Sequence, residues 1–258
     1  ASIIDGSRLG FAKVLKFKHN DVEDLERKLK VCEPDSCKLI VVDGIYSMEG
    51  DIAPLPQICD LCDQYNASVM VDDAHSFGVL GRNGRGTADH FGLTDRVDLI
   101  MGTFSKSFGS LGGFIAGDHE ILNYPKHNSR ALIFSASMTP AAVASAGKAL
   151  EIMQTEPERF EHLWELTRYA QKSFKDAGFD TGRTESPIIP LVVRDTEKAM
   201  AIVSLALAEG VFVTPVIAPA VARGDELIRF ALMATHTKEQ VDFAVEKLTK
   251  VFKSLEIL

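Results

Sequence analysis

Short apolar runs alternate with amphipathic stretches through the first half of the chain. Apolar runs predict strands, and the continuous run Lys38–Asp43 is of the kind that is buried on both faces of a parallel sheet. These strands are Lys13–Phe17, Lys38–Asp43, Ser68–Asp73 and Val97–Phe104. Helical periodicity over residues 20–31, capped by Asn20 or Asp21, and over Pro54–Tyr65 predicts the intervening helices. This alternation is typical of an open α/β sheet.

The pattern changes in the second half of the chain. Long helical periodicity covers Pro140–Ala177, followed by strand-like runs and a terminal amphipathic helix from Lys238. The predicted strands are Ile188–Val193, Gly210–Pro215 and Leu227–Leu232. We therefore expect two domains, residues 1–152 with the α/β sheet and residues 153–258 as a smaller α+β domain.

Composition and charge narrow the class of protein. A chain of 258 residues that is 46% hydrophobic and 25% charged is long enough for one large or two smaller globular domains. The net charge of -8 would repel nucleic acid and anionic membrane, so we expect small-molecule partners. No apolar run approaches the roughly 20 residues that span a bilayer, and no signal peptide is visible, so a cytoplasmic protein is expected.

The four cysteines raise the question of a metal site. Cys59 and Cys62 form a C-x-x-C pair, which zinc sites use. However, the pair falls within a helical pattern and occupies one face, where free cysteine packs as a small hydrophobe. We therefore predict no metal.

Polar groups follow the predicted strands at the edge where open α/β sheets bind ligands. Asp72, Asp73 and His75 end one strand, Ser47 follows another, and Lys106 follows a third. Small residues rather than carboxylates surround Lys106 in "GTFSKSFGS", which leaves its amine available to condense with an aldehyde. A lysine with an aspartate and a histidine at adjacent strand ends predicts pyridoxal 5'-phosphate (PLP) as cofactor.

Motifs along nearly the whole chain resemble those of the α-oxoamine synthases, a branch of the fold type I PLP enzymes. They are "ASIIDG", "DGIYSMEGD", "VDDAHSFGVLG", "GTFSKSFGSLGGF", "FSASMTP" and "IRFALMATHT". The resemblance implies an aspartate aminotransferase-like large domain with a mainly parallel sheet, and a smaller C-terminal α+β domain. It also implies a PLP-dependent transferase.

The resemblance implies roles for the charged residues at the strand ends. Lys106 matches the lysine that forms a Schiff base with PLP and moves the α-proton of the substrate. Asp72 matches the partner of the pyridine nitrogen, in preference to the adjacent Asp73.

Five further residues match family positions. His75 and Ser47 match groups that approach the phenolic oxygen of PLP, and Thr103 matches a phosphate contact. Ser135 matches a phosphate ligand given to the neighbouring subunit, which implies a homodimer with shared active sites. Arg229 matches the arginine that binds the amino-acid carboxylate by a bidentate contact.

The start of the chain departs from the family. There, a histidine that stacks on the cofactor ring stands immediately before "AS", and a glycine-rich phosphate loop lies further upstream. Our sequence begins at Ala1, without a methionine, so this N-terminal part of the family fold is expected to be absent.

The "GTFSKS" motif is most similar to that of the branch that condenses L-serine with a long-chain acyl-CoA. Because that substrate carries a long acyl chain, peripheral contact of the protein with a membrane is compatible with this branch. The alternatives are the branch that uses glycine and acetyl-CoA, another α-oxoamine synthase, or a catalytically silent partner subunit. A dinucleotide-binding oxidoreductase is disfavoured because no G-x-G-x-x-G joins a strand to a helix.

Overall fold

The computed structural model describes all residues from Ala1 to Leu258. The chain divides into two compact units. The first contains Ala1–Gly44 and Ala53–Glu151, and the second contains Ile45–Ile52 and Ile152–Leu258. The short segment Ile45–Ile52 therefore belongs with the C-terminal half, although it lies far from that half in sequence.

Secondary structure follows the predicted alternation. In chain order, the elements are α1 Ser2–Arg8, α2 Val22–Lys30, β1 Leu39–Asp43, α3 Leu55–Tyr65, β2 Ser68–Asp72, α4 Thr87–His90, β3 Leu99–Thr103, β4 Gly113–Gly117, α5 His119–Asn128, α6 Arg130–Ile133, α7 Pro140–Thr155, α8 Pro157–Asp176, β5 Ile188–Val192, α9 Thr196–Ala208, β6 Thr214–Val216, β7 Leu227–Ala231 and α10 Lys238–Ser254. Two short 3-10 turns lie at Arg82–Gly84 and Thr94–Arg96.

The first unit is built on a four-stranded sheet in the order β1-β2-β3-β4. Strands β1, β2 and β3 are parallel, and β4 pairs antiparallel with β3. The alternate residues Val69 and Val71 of β2 are completely buried, and Met70 between them is half-buried. The mixed sheet with a parallel majority confirms the predicted fold class.

Local signals at the helix ends agree with the sequence. Asp21 caps α2, where its Oδ1 accepts the backbone N–H of Asp24 at 2.8 Å. Helix α3 ends at Asn66, which adopts a left-handed conformation with φ of 48°. Thr237 and Gln240 form a capping box at the start of α10.

The predicted strand at Lys13–Phe17 is wrong. These residues have no regular secondary structure, and Lys13 to Lys16 are exposed. The apolar Val14 and Leu15 have no neighbouring strand with which their backbone could pair, and a strand without a partner leaves its N–H and C=O groups unpaired.

The sequence pattern does not predict strand β4, because "GFIAG" is glycine-rich and exposed on both faces.

The second unit contains an antiparallel sheet of three strands in the order β5-β7-β6. Its core includes Leu166 of α8, Ile189 of β5, Ile228 of β7 and Leu248 of α10, all completely buried. The predicted strand over Gly210–Pro215 is shorter in the structure, where β6 begins at Thr214. Residues 210–213 connect α9 to β6 and do not pair with another strand. The long helical pattern is two helices, since Pro157 cannot continue α7.

The cysteine pair lies inside helix α3, and both side chains are buried. Burial raises the pKa of Cys59, and it raises the pKa of Cys62 to about 12. The two residues therefore act as apolar packing residues of the helix.

None of the helices combines the length and apolar character that crossing a bilayer requires.

Candidate active site

The carboxyl ends of β1, β2 and β3 form one edge of the first unit's sheet. Asp72 stands opposite Asp43 on one side and Met101 on the other. Pairing continues past the strand ends, because Gly44 N–H donates to the Asp72 carbonyl and Asp73 N–H donates to the Met101 carbonyl, both at 2.8 Å. Residues that follow these three strands are thus held at a common edge, as expected for ligand sites of open α/β sheets.

The adjacent aspartates at this edge have different environments. Asp72 is buried, and its Oδ1 accepts the backbone N–H of Ala74 at 3.0 Å. Asp73 Oδ1 accepts the hydroxyl of Thr87 at 2.6 Å, and the Thr87 backbone N–H also donates to its carboxylate. The Asp73 carboxylate is therefore engaged in holding the start of α4.

Two glycines permit the close packing around Asp73. A Cβ at Gly44 or at Gly86 would overlap the Asp73 carboxylate. Burial raises the pKa of Asp73, while the hydrogen bonds from Thr87 and Ser76 oppose this shift. A buried carboxylate with these dedicated donors fixes the turn that follows β2.

Lys106 lies in the loop Phe104–Gly112, which connects β3 to the antiparallel β4. Phe104 N–H donates to the Gly112 carbonyl at 2.9 Å, and Ser110 N–H donates to the Phe104 carbonyl at 2.7 Å. Lys106 is exposed at the tip of this loop, and its carbonyl accepts the N–H of Gly109 in a turn. Gly109 has φ of 56°, a left-handed value that glycine adopts without strain.

The lysine loop is joined to the segment that follows Asp72. The hydroxyl of Ser107 donates to the carbonyl of Phe77 at 2.6 Å. Phe77 also stacks on Phe108, with ring centroids 4.7 Å apart and an interplanar angle of 18°. The sequence gives no sign of this bond, because Ser107 and Phe77 are 30 positions apart. Ser107 and Phe77 are the structural residues that sequence reasoning missed.

Two hydroxyl groups lie beside the lysine at the end of β3. Thr103 Oγ1 and Ser105 Oγ are 2.9 Å apart, and Thr103 Oγ1 donates to the Gly112 carbonyl at 3.2 Å. His75 is half-buried in the turn after β2. Ser135 is exposed in the connection between α6 and α7. The first unit thus carries five predicted site residues, which are Asp72, His75, Thr103, Lys106 and Ser135.

The remaining two predicted residues belong to the second unit. Arg229 lies in the central strand β7, and its Nε donates to the carbonyl of Ser47 at 2.7 Å. This bond tethers the segment Ile45–Ile52 to the C-terminal sheet. Burial lowers the pKa of Arg229, although a guanidinium remains charged at neutral pH. A half-buried, oriented guanidinium is suited to bidentate recognition of a carboxylate.

The donor set of the first unit fits PLP. An exposed primary amine at Lys106 suits an aldehyde, and the buried carboxylate of Asp72 suits a protonated ring nitrogen. The neighbouring hydroxyls of Thr103 and Ser105 suit phosphate oxygens. Asp73 accepts the hydroxyl and the N–H of Thr87, whereas Asp72 accepts only the N–H of Ala74, so the Asp72 carboxylate is the less engaged of the pair.

The chain belongs to the aminotransferase class I and II family, whose pattern it matches over residues 1–248. Among its relatives, serine palmitoyltransferase from Bacteroides ovatus is 63% identical over the whole chain. The chain spans 66% of the length of that relative. An 8-amino-7-oxononanoate synthase from Thermosipho melanesiensis is 47% identical, also with 66% of its length matched.

Solved structures agree with these relatives. A variant of serine palmitoyltransferase from S. paucimobilis, with a bound PLP–myriocin aldimine, is similar with a TM-score of 0.96 and 35% identity. The match covers all of our chain and 65% of that protein. These relatives confirm the predicted resemblance to the α-oxoamine synthases and the fold type I architecture.

Proposed function

We propose that the whole protein is a PLP-dependent acyltransferase. It condenses L-serine with a long-chain acyl-CoA, palmitoyl-CoA, to give 3-ketosphinganine, CoA and CO2, the first step of sphingolipid synthesis. One observation carries the proposal: paired parallel strands bring Asp72 and the Lys106 loop to one sheet edge. The 63% identity to a serine palmitoyltransferase supports this choice of reaction.

Two residues of the first unit would carry the proton chemistry. Lys106 would hold PLP through its Nζ and, when released by the incoming serine, would accept the α-proton on the same atom. The Asp72 carboxylate would keep a proton on the ring nitrogen, and its burial strengthens that interaction. When bound, PLP supplies an electron sink that stabilises negative charge at the α-carbon of serine.

The other predicted residues would bind and orient. His75 and the Ser47 hydroxyl would approach the phenolic oxygen of PLP, and Thr103 would contact the phosphate. Arg229 would bind the carboxylate of serine, which orients the α-proton before its transfer.

The bond changes balance with serine and acyl-CoA as the only substrates. A carbon–carbon bond forms between the serine α-carbon and the thioester carbonyl, and the carbon–sulfur bond breaks to release CoA. The carboxylate then leaves as CO2, and a proton returns to the α-carbon of the aminoketone. No external oxidant or reductant is required.

A homodimer is part of the proposal. Ser135 would donate its hydroxyl to the phosphate site of the partner subunit, and its exposed position between α6 and α7 leaves it available. We also propose a cytoplasmic location, and residues 1–152 and 153–258 as the two domains.

The dimer has a direct test. Sedimentation equilibrium of the holoenzyme is expected to give twice the protomer mass, and Ser135→Ala is expected to weaken PLP binding while leaving that mass unchanged. Ser137→Ala, a change to an exposed hydroxyl in the same segment, is the control and should bind PLP as the wild type does. Tight PLP binding by a monomer would contradict the shared site.

Substrate choice is the finer part of the proposal and has its own test. In competition assays we expect L-serine to be turned over faster than glycine, and palmitoyl-CoA faster than acetyl-CoA. Each additional buried methylene contributes about 0.8 kcal/mol, so even a partly apolar acyl groove separates the two thioesters widely. Product masses identify the aminoketone formed.

The 8-amino-7-oxononanoate synthase relative at 47% identity makes another α-oxoamine synthase the alternative function. Faster turnover of glycine with acetyl-CoA would assign the protein to the glycine acetyltransferase branch. The roles of Lys106 and Asp72 would remain, because they belong to the chemistry common to these enzymes.

A further inference from the structure

We infer that Ser107 is a positioning residue, which fixes the loop of Lys106 against residues 72–77, the segment that contains Asp72 and His75. The inference rests on the proposed function, since it concerns where the Lys106 amine is held. None of the roles proposed above involves Ser107.

The first observation is the hydrogen bond between the two segments. Ser107 Oγ donates to the Phe77 carbonyl at 2.6 Å, a short distance for a neutral hydroxyl donor. Phe77 is two residues from His75 and five from Asp72, while Ser107 directly follows Lys106. One bond therefore connects the two groups of residues that must act on the same cofactor.

The second observation is the closeness of the two backbones at this bond. Gly78 has φ of 81°, and a Cβ built on it would lie 2.6 Å from Ser107 Oγ and 2.7 Å from Ser107 Cβ. These distances are shorter than real contacts between such atoms. Glycine at position 78 therefore allows the lysine loop to approach the turn, and any larger residue would push it away.

The third observation is the aromatic packing beneath the loop. Phe108 stacks on Phe77, and Phe104 and Phe114 pack around the same rings with centroid separations of 5.1 to 5.7 Å. This cluster packs residues of the loop against Phe77 and Phe114, but stacked rings can slide in their planes. The directional bond of Ser107 supplies the remaining restraint.

The same loop offers a matched control. Ser110 Oγ donates to the Ala142 carbonyl at 2.8 Å, so it makes the same type of bond from the same loop. Its acceptor lies in α7 and not in the turn after β2. Removing this hydroxyl should cost similar stability without changing the position of Lys106 relative to Asp72.

The experiment compares Ser107→Ala, Ser107→Thr and Ser110→Ala holoenzymes. We expect Ser107→Ala to lower kcat about tenfold, the upper end of the effect of one neutral hydrogen bond, with KM values little changed. Its visible circular dichroism band from bound PLP should weaken, because that band reports how firmly the cofactor is oriented. Ser107→Thr retains the hydroxyl and should restore both properties, while Ser110→Ala should match the wild type in both.

The outcomes separate this inference from the proposed function. A wild-type protein with no visible PLP band would refute the proposed function itself. A normal wild-type band with unchanged kcat and dichroism in Ser107→Ala would overturn the positioning role alone. Equal losses in Ser110→Ala, or no rescue by Ser107→Thr, would also overturn it. Melting temperatures of Ser107→Ala and Ser110→Ala should agree closely, since each variant loses one hydroxyl hydrogen bond of the same loop.

Discussion

Lys106→Ala is expected to abolish covalent attachment of PLP and to reduce turnover by about a thousandfold or more, within the range that a general base contributes. The change removes both the amine that holds the aldehyde and the group that takes the α-proton. Fold should be retained, because Lys106 is exposed in the loop Phe104–Gly112, whose backbone hydrogen bonds remain in the alanine variant. Borohydride reduction followed by intact-protein mass measurement detects the attachment.

Two further variants distinguish the positive charge of Lys106 from the ability of its amine to bond to the aldehyde. Lys106→Arg retains a cation at the loop tip but cannot form the bond to the aldehyde, so it should be as inactive as the alanine variant. Lys253→Ala removes an exposed lysine near the end of α10 and should behave as the wild type. Covalent PLP on another lysine of Lys106→Ala, together with retained turnover, would show that Lys106 is not the cofactor lysine.

Asp72→Asn should produce the second large effect. The amide cannot hold a proton on the ring nitrogen by charge, and loss of one preorganised electrostatic group costs about 3 kcal/mol of transition-state stabilisation. We expect kcat to fall by about two orders of magnitude. Because the asparagine Oδ1 can still accept the Ala74 N–H, the free energy of unfolding should change little.

Asp73→Asn is the matched control, and the opposite pattern is expected. Its carboxylate accepts the hydroxyl and the N–H of Thr87 in a fully buried setting, so disturbing it should lower the free energy of unfolding by about 1–3 kcal/mol. Turnover per folded molecule should fall less than in Asp72→Asn. Urea unfolding and steady-state kinetics measure the two quantities. A larger kinetic loss from Asp73 than from Asp72 would reverse our assignment of the ring-nitrogen partner.

The sequence predicts the parts of the fold that depend on local pattern. Apolar runs identify β1, β2 and β3, and Asn20 or Asp21 marks the start of α2, where Asp21 is the cap. The position of Lys106 after strand β3 also places it at the ligand-binding edge of a parallel sheet. These predictions succeed because an apolar run and a helix cap are signals carried by a few neighbouring residues.

Other features depend on residues far apart in sequence and could not be predicted. The run Lys13–Phe17 has strand-like composition, but no partner strand pairs with it. Strand β4 forms because β3 offers a free edge, which its own glycine-rich sequence does not reveal. The bond from Ser107 to Phe77 and the tether from Arg229 to Ser47 likewise arise only when distant segments meet.

Location of the cofactor in the unmodified protein tests the central claim most directly. The purified holoenzyme is reduced with borohydride and digested, and the modified peptide is identified by mass spectrometry. We predict a single phosphopyridoxyl group on Lys106, with loss of the visible absorption band on reduction. A modified lysine elsewhere, or no modified peptide from protein that turns over serine and palmitoyl-CoA, would contradict the account.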